Sequence, residues 1–425
     1  MAKTAAKATE ADLARARRRI GPIERREMRL AFGMLSPTVA AVLLVVLIPV
    51  LANFWISVKP IELADLRAAK PLVRERVQGD VLQPGDAFAV RYRVRSSSPA
   101  AEVRDVEFTH SLPPGLTLTD DAGTCTLSGP DLRCNVGTLE PRARVDVNVT
   151  LTAGQAYFDA GSPDLRAADP LATGRSTNKL TSFEFTFDNF RKVFDAAEFW
   201  NVLWVSIVYT IGGTGGALLL GLFAAQLMMV AFPGRGIMRG LFLFPYVSPV
   251  IAVAFTWIFL LDPFSGTMNA ILTKTGVTDA NINFLGQRGI ALWTVIAFEA
   301  WRYFPLAFLF ILARMQSLSS DLNEAAEMDG ATPFQKFWYI SLPQLVGIIS
   351  TLFLLRFIWT FNKFDDIFLL TGGASGTRTL TVNVYEQAFA LSNLGAGAAV
   401  AVVIFFMLAV FLAFYFKFVP KEEGM

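Results

Sequence analysis

The sequence predicts an all-α polytopic membrane protein with six transmembrane helices and a small β-sandwich domain inserted between helices 1 and 2. Composition gives the first indication, because 53% of the 425 residues are hydrophobic and only 17% are charged. That balance is typical of proteins whose surface lies in lipid. The second indication is a set of long apolar segments, and the third is one long polar segment that separates the first of them from the others.

Six apolar segments are long enough to cross a hydrocarbon core of about 30 Å. Lipid offers no hydrogen-bond partners, so the backbone of such a segment must satisfy itself, and continuous runs of this length are therefore expected to be helices. The segments are Met34–Ile56, Leu203–Met229, Gly240–Leu261, Ile290–Leu312, Leu345–Leu370 and Ala398–Phe416.

Basic residues in short loops predict the orientation of these spans. Cytoplasmic loops are enriched in Lys and Arg, so both termini are expected in the cytoplasm and the inserted domain outside. The leader carries no clear cleavage site and is expected to run into an uncleaved first helix. The net charge of the chain is only +2, so a nucleic-acid-binding arm is not expected. The basic residues that predict the orientation are Arg15, Arg17, Arg18, Arg19, Arg25, Arg26, Arg29, Arg235, Arg239, Lys417 and Lys421.

The segment between the first two spans is polar and too long for a simple connector. Residues 88–94, 103–108 and 145–151 alternate between apolar and polar side chains, which is the pattern of half-buried strands. Turn sequences such as Pro113-Pro114-Gly115 separate them. Several short strands with such turns predict a small β-sandwich.

Both cysteines, Cys125 and Cys134, lie in this insertion. Their spacing suits a hairpin disulfide in an oxidising compartment, and two buried free thiols are the alternative. His110 is the single histidine and is expected at the surface end of a strand. One histidine argues against a histidine-based metal site and against a Ser-His-Asp triad, so neither metal ligands nor catalytic residues are predicted.

A helix, a tight turn and a second helix are predicted between the fourth and fifth spans. Asp321 is expected to cap the first helix, and Gly330 suits the left-handed residue that ends it. Thr332 and Pro333 begin the second helix, and Pro343 is expected to begin the next span. Aromatic residues crowd the second helix, which predicts an interaction surface. An amphipathic hairpin lying on lipid headgroups is the alternative.

Polar residues inside the last spans predict a solute path, because burying them in lipid is costly. Glu299 and Arg302 lie three residues apart on one helical face and are expected to pair. Structural salt bridges are the alternative reading of these charges. The second span has small residues at the spacing of close helix packing, namely Gly212, Gly213, Gly216, Ala217 and Gly221.

The stretch from Glu324 to Ala331, with Phe337, Ile340 and Leu342-Pro343, resembles the EAA loop of ABC-importer permeases. Residues 301–305 and 361–364 resemble the maltose-type, carbohydrate-uptake branch of that family. Two departures from this branch are Ala374-Ser375 in the outer loop and Lys363 at a position that is commonly neutral. The segment Leu112–Leu116 and the cysteines resemble bacterial immunoglobulin-like repeats.

This resemblance implies two sets of functional residues. For coupling to an ATPase it implies Glu324, Ala325, Ala326, Asp329, Gly330, Ala331, Phe337, Trp338, Leu342 and Pro343. For substrate binding it implies Glu299, Trp301, Arg302, Tyr303, Leu306, Trp359, Thr360, Asn362 and Lys363.

The resemblance further implies a permease subunit of an ATP-driven importer for a maltose- or trehalose-like sugar or oligosaccharide, in the bacterial inner membrane. The chain has no Walker-type loop, so ATP and Mg are expected on a partner ATPase dimer, and this subunit is not expected to be an enzyme. A second permease subunit and an extracytoplasmic solute-binding protein are the other expected partners, and nucleic acid is not. The inserted domain is expected to help hold that binding protein. A proton-coupled secondary transporter and a membrane-anchored surface receptor are the alternative functions.

The expected boundaries divide the chain into four parts. They are a cytoplasmic basic segment (1–33), the first transmembrane helix (34–57), the extracytoplasmic β-sandwich insertion (60–180), and a permease core (182–425) that includes the cytoplasmic coupling loop (314–343).

Overall fold

The computed structural model describes residues 22–66, 68–98, 101–120 and 123–418. The chain forms two compact units, Met1–Trp55 and Ile56–Met425. Most of the predicted basic leader and the end of the tail lie outside the described residues, including Arg15, Arg17, Arg18, Arg19 and Lys421.

The N-terminal helical run begins with α1 (Pro22–Val42), passes through a π-helical turn (Leu43–Leu47) and continues as α2 (Ile48–Ser57). Its apolar part is long enough to cross a membrane and covers the predicted first span. Pro37 lies inside α1 without ending the helix.

The predicted insertion contains two antiparallel four-stranded sheets, with strand orders β1-β2-β7-β4 and β5-β6-β3-β8. Side chains of both sheets share one hydrophobic core. The three stretches that alternate in the sequence lie within β2, β3 and β7, so those strand predictions are confirmed. The strands are β1 (Pro71–Gln78), β2 (Ala87–Ser96), β3 (Val103–Ser111), β4 (Leu116–Asp120), β5 (Cys125–Ser128), β6 (Asp131–Leu139), β7 (Arg144–Ala153) and β8 (Leu171–Arg175).

The prediction that His110 is a surface residue is wrong. His110 is fully buried, because along β3 it continues the inward alternation of Val106 and Phe108. Its Nδ1 lies 2.7 Å from the hydroxyl of Tyr92, and its Nε2 lies 2.8 Å from the carbonyl oxygen of Ala168. Burial raises the pKa of Tyr92.

Two local features order the ends of these strands. Cys125 and Cys134 lie opposite each other on β5 and β6 and form a disulfide across the hairpin. Before β2, the carboxylate of Asp86 accepts hydrogen bonds from the backbone N–H groups of Leu82 and Gln83 at 2.9 and 2.8 Å. These two bonds lower the pKa of Asp86, because they stabilise its ionised form.

The remaining described α-helices follow β7. The helices are α3 (Gln155–Asp159), α4 (Asp188–Asp195), α5 (Phe199–Leu227), α6 (Arg235–Val247), α7 (Val250–Leu260), α8 (Thr267–Lys274), α9 (Ile290–Gln316), α10 (Ser320–Met328), α11 (Pro333–Lys336), α12 (Leu342–Phe361), α13 (Asp365–Thr371), α14 (Leu380–Tyr385) and α15 (Leu394–Phe418).

Within the described residues, five helices are long and apolar enough to span a membrane, and a sixth span results if one bent pair is counted. That pair is α6 and α7, which meet at 94° around Ser248 and Pro249. The predicted third span is therefore broken, because Pro249 cannot continue the helix that precedes it.

The predicted fifth span has the wrong bounds. The helix begins at Pro333, passes through a π-helical turn (Phe337–Ser341) into α12 and ends at Phe361. Asn362 and Lys363 lie outside it in a short connection to α13. Pro343 lies in the first turn of α12, as expected, although the helical run that contains it already begins at Pro333.

Small residues allow α5 to pack closely on α9, as their spacing predicts. A Cβ atom at Gly216 would lie 2.8 Å from the Cβ of Ala300, and one at Gly221 would lie 2.6 Å from the Cβ of Ala307. The glycines of α5 therefore bring its backbone against α9 of the same chain.

Candidate functional site

A buried polar cluster joins α5, α9 and α12. Glu299 of α9 is fully buried and forms an ion pair with Arg356 of α12, which is itself 3% exposed. The same carboxylate accepts hydrogen bonds from the hydroxyls of Thr360 and Tyr209, each at 3.0 Å. At Gly213 of α5 an added Cβ would lie 2.6 Å from the Cγ of Glu299, so glycine leaves the space that the acid occupies.

Arg302 stabilises the break between α6 and α7. Its guanidinium donates to the carbonyl oxygens of Pro245 at 3.3 Å and Ser248 at 3.1 Å. These carbonyls belong to the end of α6, where the helix leaves them without intrahelical partners. The expected pair between Glu299 and Arg302 is therefore not formed, because α12 supplies Arg356 to the acid and the helix break supplies acceptors to Arg302.

The ring of Tyr303 lies among three cations. The guanidinium carbon of Arg356 lies 4.1 Å from the ring centroid, the Nζ of Lys363 lies 4.8 Å from it, and the guanidinium carbon of Arg302 lies 5.6 Å from it. All three distances are within the range of cation–π attraction. Lys363 also donates to the Tyr303 hydroxyl, so the tyrosine links the residues of α9 to the connection after α12.

Asp366, at the start of α13, is fully buried beside this group. Its two oxygens lie 3.7 Å from the Nζ of Lys363 and 4.0 Å from the Nε of Arg302, and neither oxygen accepts a hydrogen bond from a described residue. Lys363 makes a second ion pair with Asp365, at 3.2 Å. Buried carboxylates are normally hydrogen-bonded, so Asp366 retains unused acceptor capacity inside the cluster.

Only part of the predicted substrate set meets in this cluster: Glu299, Arg302, Tyr303, Thr360 and Lys363. Trp301 instead packs on Trp257 of α7, with ring centroids 5.5 Å apart. Trp359 is 47% exposed, Leu306 is half-buried, and the Asn362 side chain donates to the carbonyl of Ile358 at 2.9 Å. The cluster therefore includes five of these residues and omits four.

Three members of the cluster, Tyr209, Arg356 and Asp366, are outside the predicted set of site residues. A signal for Tyr209 exists in the sequence, because Ser206, Thr210 and Thr214 recur every four residues along the same span. That spacing places polar side chains on one helical face beside Tyr209 and Gly213. The acid that pairs with Arg356 is determined by the packing of α12 against α9. That packing cannot be read from the sequence.

The hairpin formed by α10 and α11 has the predicted helix, turn and helix. Gly330 has a φ of +78°, and the N–H of Ala331 donates to the carbonyl of Ala326 at 2.9 Å, so the predicted left-handed end of α10 is confirmed. Thr332 caps α11 and forms a capping box with Gln335. The cap of α10 is Ser319 and not Asp321, because Ser319 accepts from the N–H of Asp321.

The α10–α11 hairpin exposes large apolar side chains. Phe334 is 71% exposed, Tyr339 80% and Met328 89%. Lys336 forms an ion pair with Glu327 and so ties α11 to α10. A cavity of 300 Å³ opens between the two helices and is lined by Asp329, Gly330, Ala331, Gln335, Lys336, Tyr339 and Ile340.

The other predicted coupling residues lie on or beside this hairpin. Glu324 and Ala325 are exposed on α10 and Trp338 is 49% exposed, whereas Phe337, at the start of the π-helical turn, and Leu342, at the start of α12, are half-buried. The arrangement offers an apolar and charged knob of fixed shape, which is the form of a protein-docking surface. Among the described residues no group of three or more His, Cys, Asp or Glu side chains is placed to hold a metal ion.

Comparison with known proteins gives the family. The profile of the family described as the inner membrane component of binding-protein-dependent transport systems matches residues 217–422. The chain is 33% identical to the inner membrane ABC transporter permease protein YcjO of Escherichia coli K12 over 231 residues, which are 53% of this chain and 78% of that protein. The chain belongs to this family of ABC transporter permeases.

Two further relatives are named for their transport systems. The permease is 31% identical to the trehalose/maltose transport system permease protein MalF of Thermococcus litoralis, over 54% of this chain and 77% of that protein. It is 32% identical to the sn-glycerol-3-phosphate transport system permease protein UgpA of Agrobacterium fabrum, over 55% of this chain and 80% of that protein.

A solved structure shares the fold. The crystal structure of a bacterial ABC transporter involved in the import of the acidic polysaccharide alginate superimposes with a TM-score of 0.50 at 21% identity, over 56% of this chain and 86% of that chain. At this identity the likeness shows the fold alone.

Membership of this family determines the class of the protein. The chain is a multi-pass inner membrane permease subunit and not an enzyme, since ATP hydrolysis in ABC transporters is performed by a separate subunit. Permeases of this class work with that ATPase, a second permease subunit and a binding protein. The secondary transporter and the surface receptor, considered above as alternative functions, are therefore not retained.

Proposed function

We propose that this permease moves a sugar or oligosaccharide of the maltose or trehalose type into the cell by alternating access. The named trehalose/maltose relative supports the substrate class. In this proposal the broken pair α6–α7 counts as one span, giving six. Both termini lie in the cytoplasm, and the eight strands form a β-sandwich (60–180) on the outer side, between the first helix (34–57) and the permease core (182–425).

The observation that carries the proposal is the polar cluster where α9, α12 and α13 meet. Such a cluster is costly inside a membrane protein unless it is structural or meets a solute. Glu299 and Arg356 are both almost fully buried and neutralise each other's charge, so they are assigned a structural role. Tyr303 and Lys363 are only half-buried and so are placed to meet a solute, and Asp366 lies fully buried directly beside Lys363 with unused acceptors that a solute could reach when Lys363 moves.

A sugar offers the chemistry that these groups lack. Its hydroxyls donate and accept, so one hydroxyl can donate to Asp366 while another accepts from Lys363. The ring of Tyr303 adds a flat apolar surface on which a pyranose face can pack. The predicted residues Trp301 and Leu306 on α9, and Trp359 and Asn362 at the end of α12, lie outside the cluster, and the proposal assigns them to the walls of the path.

The α10–α11 hairpin is the proposed contact to the ATPase dimer, which binds ATP and Mg. Its predicted coupling residues lie within the 314–343 segment. Glu324 on α10 is exposed for contact, and Gly330 fixes the angle between the two helices. Closure of the ATPase dimer would move this hairpin and, through the continuous helix that follows, the residues of the cluster.

Transport tests the substrate class directly. The permease is purified with its co-expressed partners, reconstituted into liposomes, and supplied with ATP, its binding protein and labelled trehalose, maltose or sn-glycerol 3-phosphate. We expect ATP-dependent uptake of a disaccharide. Uptake of sn-glycerol 3-phosphate alone, or of none of the three by a complex that hydrolyses ATP, would contradict the sugar assignment.

Two variants test the site. Lys363→Met should reduce uptake at least tenfold while the complex still assembles, because one charged hydrogen bond to a solute contributes about 1.5–3 kcal/mol. Lys274→Met removes the same side chain from an exposed position at the end of α8 and should transport normally. Equal uptake by both variants would remove Lys363 from the site.

Co-purification tests the coupling hairpin. In mild detergent, Glu324→Lys and Gly330→Pro should recover much less ATPase than the unaltered permease. Asp279→Lys reverses an exposed charge in the loop after α8 and serves as the control. Full recovery of the ATPase by the hairpin variants would place the docking surface elsewhere, and a monodisperse elution profile verifies that each variant is folded.

A further inference from the structure

Six arginine side chains project from one face of the four-stranded sheet β1-β2-β7-β4, all of them on its strands β1, β2 and β7. Successive residues of a strand point to opposite faces, and on these strands the alternate set faces the core, where it is buried on β2, mostly buried on β7 and half-buried on most of β1. The outward set of arginines is Arg74, Arg76, Arg91, Arg93, Arg95 and Arg144.

These arginines lie directly opposite one another across the sheet. The register pairs Arg74 with Arg93, Arg76 with Arg91, and Arg95 with Arg144. Like charges at opposed positions destabilise a sheet. The opposed arginines therefore destabilise the free domain. A negatively charged ligand would offset this repulsion.

Acidic residues of β1, β2 and β7 neutralise little of this face. Asp146 is the one acid among the outward residues of the three strands, and it pairs with Arg93 at 3.1 Å. Among the described residues the other five arginines form no ion pair. Residues 71–175 contain eleven arginines against fourteen acidic residues, so the face concentrates positive charge in a segment that is negative overall.

The remaining outward residues of these strands identify the kind of ligand. Leu72 is the single large apolar residue among them, and none is aromatic, whereas the centre of a protein interface or a membrane-inserting surface needs such anchors. Amide and hydroxyl groups stand beside the arginines instead. They are Gln78, Asn148, Thr150 and Thr152.

We propose that this arginine face binds a linear acidic polysaccharide. Guanidinium groups bind carboxylates in a planar, two-point manner, and the adjacent amides and hydroxyls bind sugar hydroxyls. The backbone positions that carry these arginines are spaced about 5 Å apart between strands and about 7 Å apart along a strand. This regular spacing suits a ligand chain with regularly repeated charges. The inference concerns the inserted domain alone and does not depend on the transported solute.

Binding is measured on the full-length permease in detergent, with fluorescent oligogalacturonate as the probe and neutral maltooligosaccharide of equal length as its control. The test variant replaces Arg74, Arg76, Arg91 and Arg95 with Gln. A matched variant replaces Arg133, Arg142, Arg166 and Arg175 with Gln, which removes the same charge from elsewhere in the domain.

We expect oligogalacturonate to bind, to weaken as salt rises, and to lose at least tenfold in affinity in the test variant alone. Thermal stability of the test variant should be equal or higher, because the opposed charges are gone. Absence of binding at low salt, equal binding of the neutral oligomer, or equal loss in the matched variant would each overturn the proposal. So would binding only to the purified solute-binding protein or only to vesicles of anionic lipid.

Discussion

Replacing Glu299 with Gln tests whether the buried pair holds α9 to α12. The substitution keeps the size of the side chain and removes its charge, which leaves the Arg356 guanidinium buried without a counter-ion. Removing one partner of a buried ion pair costs about 3–5 kcal/mol. Since Gln still accepts hydrogen bonds, we expect the lower end, about 3 kcal/mol of lost unfolding free energy.

An exposed pair of the same residue types provides the comparison. Glu198 also pairs with an arginine, Arg378, but its side chain is 71% exposed whereas that of Glu299 is fully buried. Exposed pairs contribute about 0–1 kcal/mol, because water screens the charges. Glu198→Gln should therefore change the unfolding free energy by less than about 1 kcal/mol.

The assay is reversible unfolding in mixed micelles of dodecyl maltoside and sodium dodecyl sulfate, followed by tryptophan fluorescence. The double variant Glu299→Gln with Arg356→Gln removes both charges, so neither is left unpaired. Its loss of unfolding free energy should be smaller than the sum of the two single losses by about 2 kcal/mol. Strict additivity, or a Glu299→Gln loss no larger than that of Glu198→Gln, would show that the buried pair does not hold α9 to α12.

Three further predictions follow from geometry described above. Gly330→Ala must place a side chain at a φ of +78°, and this strain of about 1–2 kcal/mol should lower ATP-dependent uptake, whereas Gly215→Ala enters open space and should not. Replacing Cys125 and Cys134 with Ser removes a crosslink between residues nine apart and should destabilise the β-domain by about 3 kcal/mol. The loss is measured by chemical denaturation followed by tyrosine fluorescence. The pKa of Asp86 is lowered on folding, so its stabilisation is present above the unfolded pKa of about 3.9 and is lost as pH falls through the lower folded value. The melting temperature of Asp86→Asn should therefore vary less between pH 5 and pH 2 than that of the unaltered protein, and parallel curves would contradict this.

The fold was largely predictable because its signals are local. Apolar length identifies the spans, alternation identifies β2, β3 and β7, and Gly330 identifies the turn of the hairpin. The surface prediction for His110 was wrong because it relied on the polarity of histidine. The alternation of Val106 and Phe108 along β3 already places residue 110 on the inward face. The bend at Pro249 was missed because the apolar run continues through it without a change in composition.

The site was predictable only in part because its pairing is non-local. Glu299 was recognised as a costly intramembrane charge, but its partner comes from a helix more than fifty residues away. Arg302 finds backbone carbonyls that exist as acceptors only because α6 ends nearby. Sequence spacing reports neighbours along one helix, and these two contacts join different helices.

The continuous helix from Pro333 to Phe361 connects the α10–α11 hairpin to the polar cluster. Its 29 residues extend over roughly 43 Å at 1.5 Å per residue, from the exposed aromatic side chains of the hairpin to the connection that holds Lys363. A rigid rod of that length converts a tilt of about 5° at one end into a sweep of about 4 Å at the other. Under the proposed coupling, a small tilt of the hairpin would therefore be enough to separate Lys363 from Tyr303 without any bending of the helix between the hairpin and Lys363.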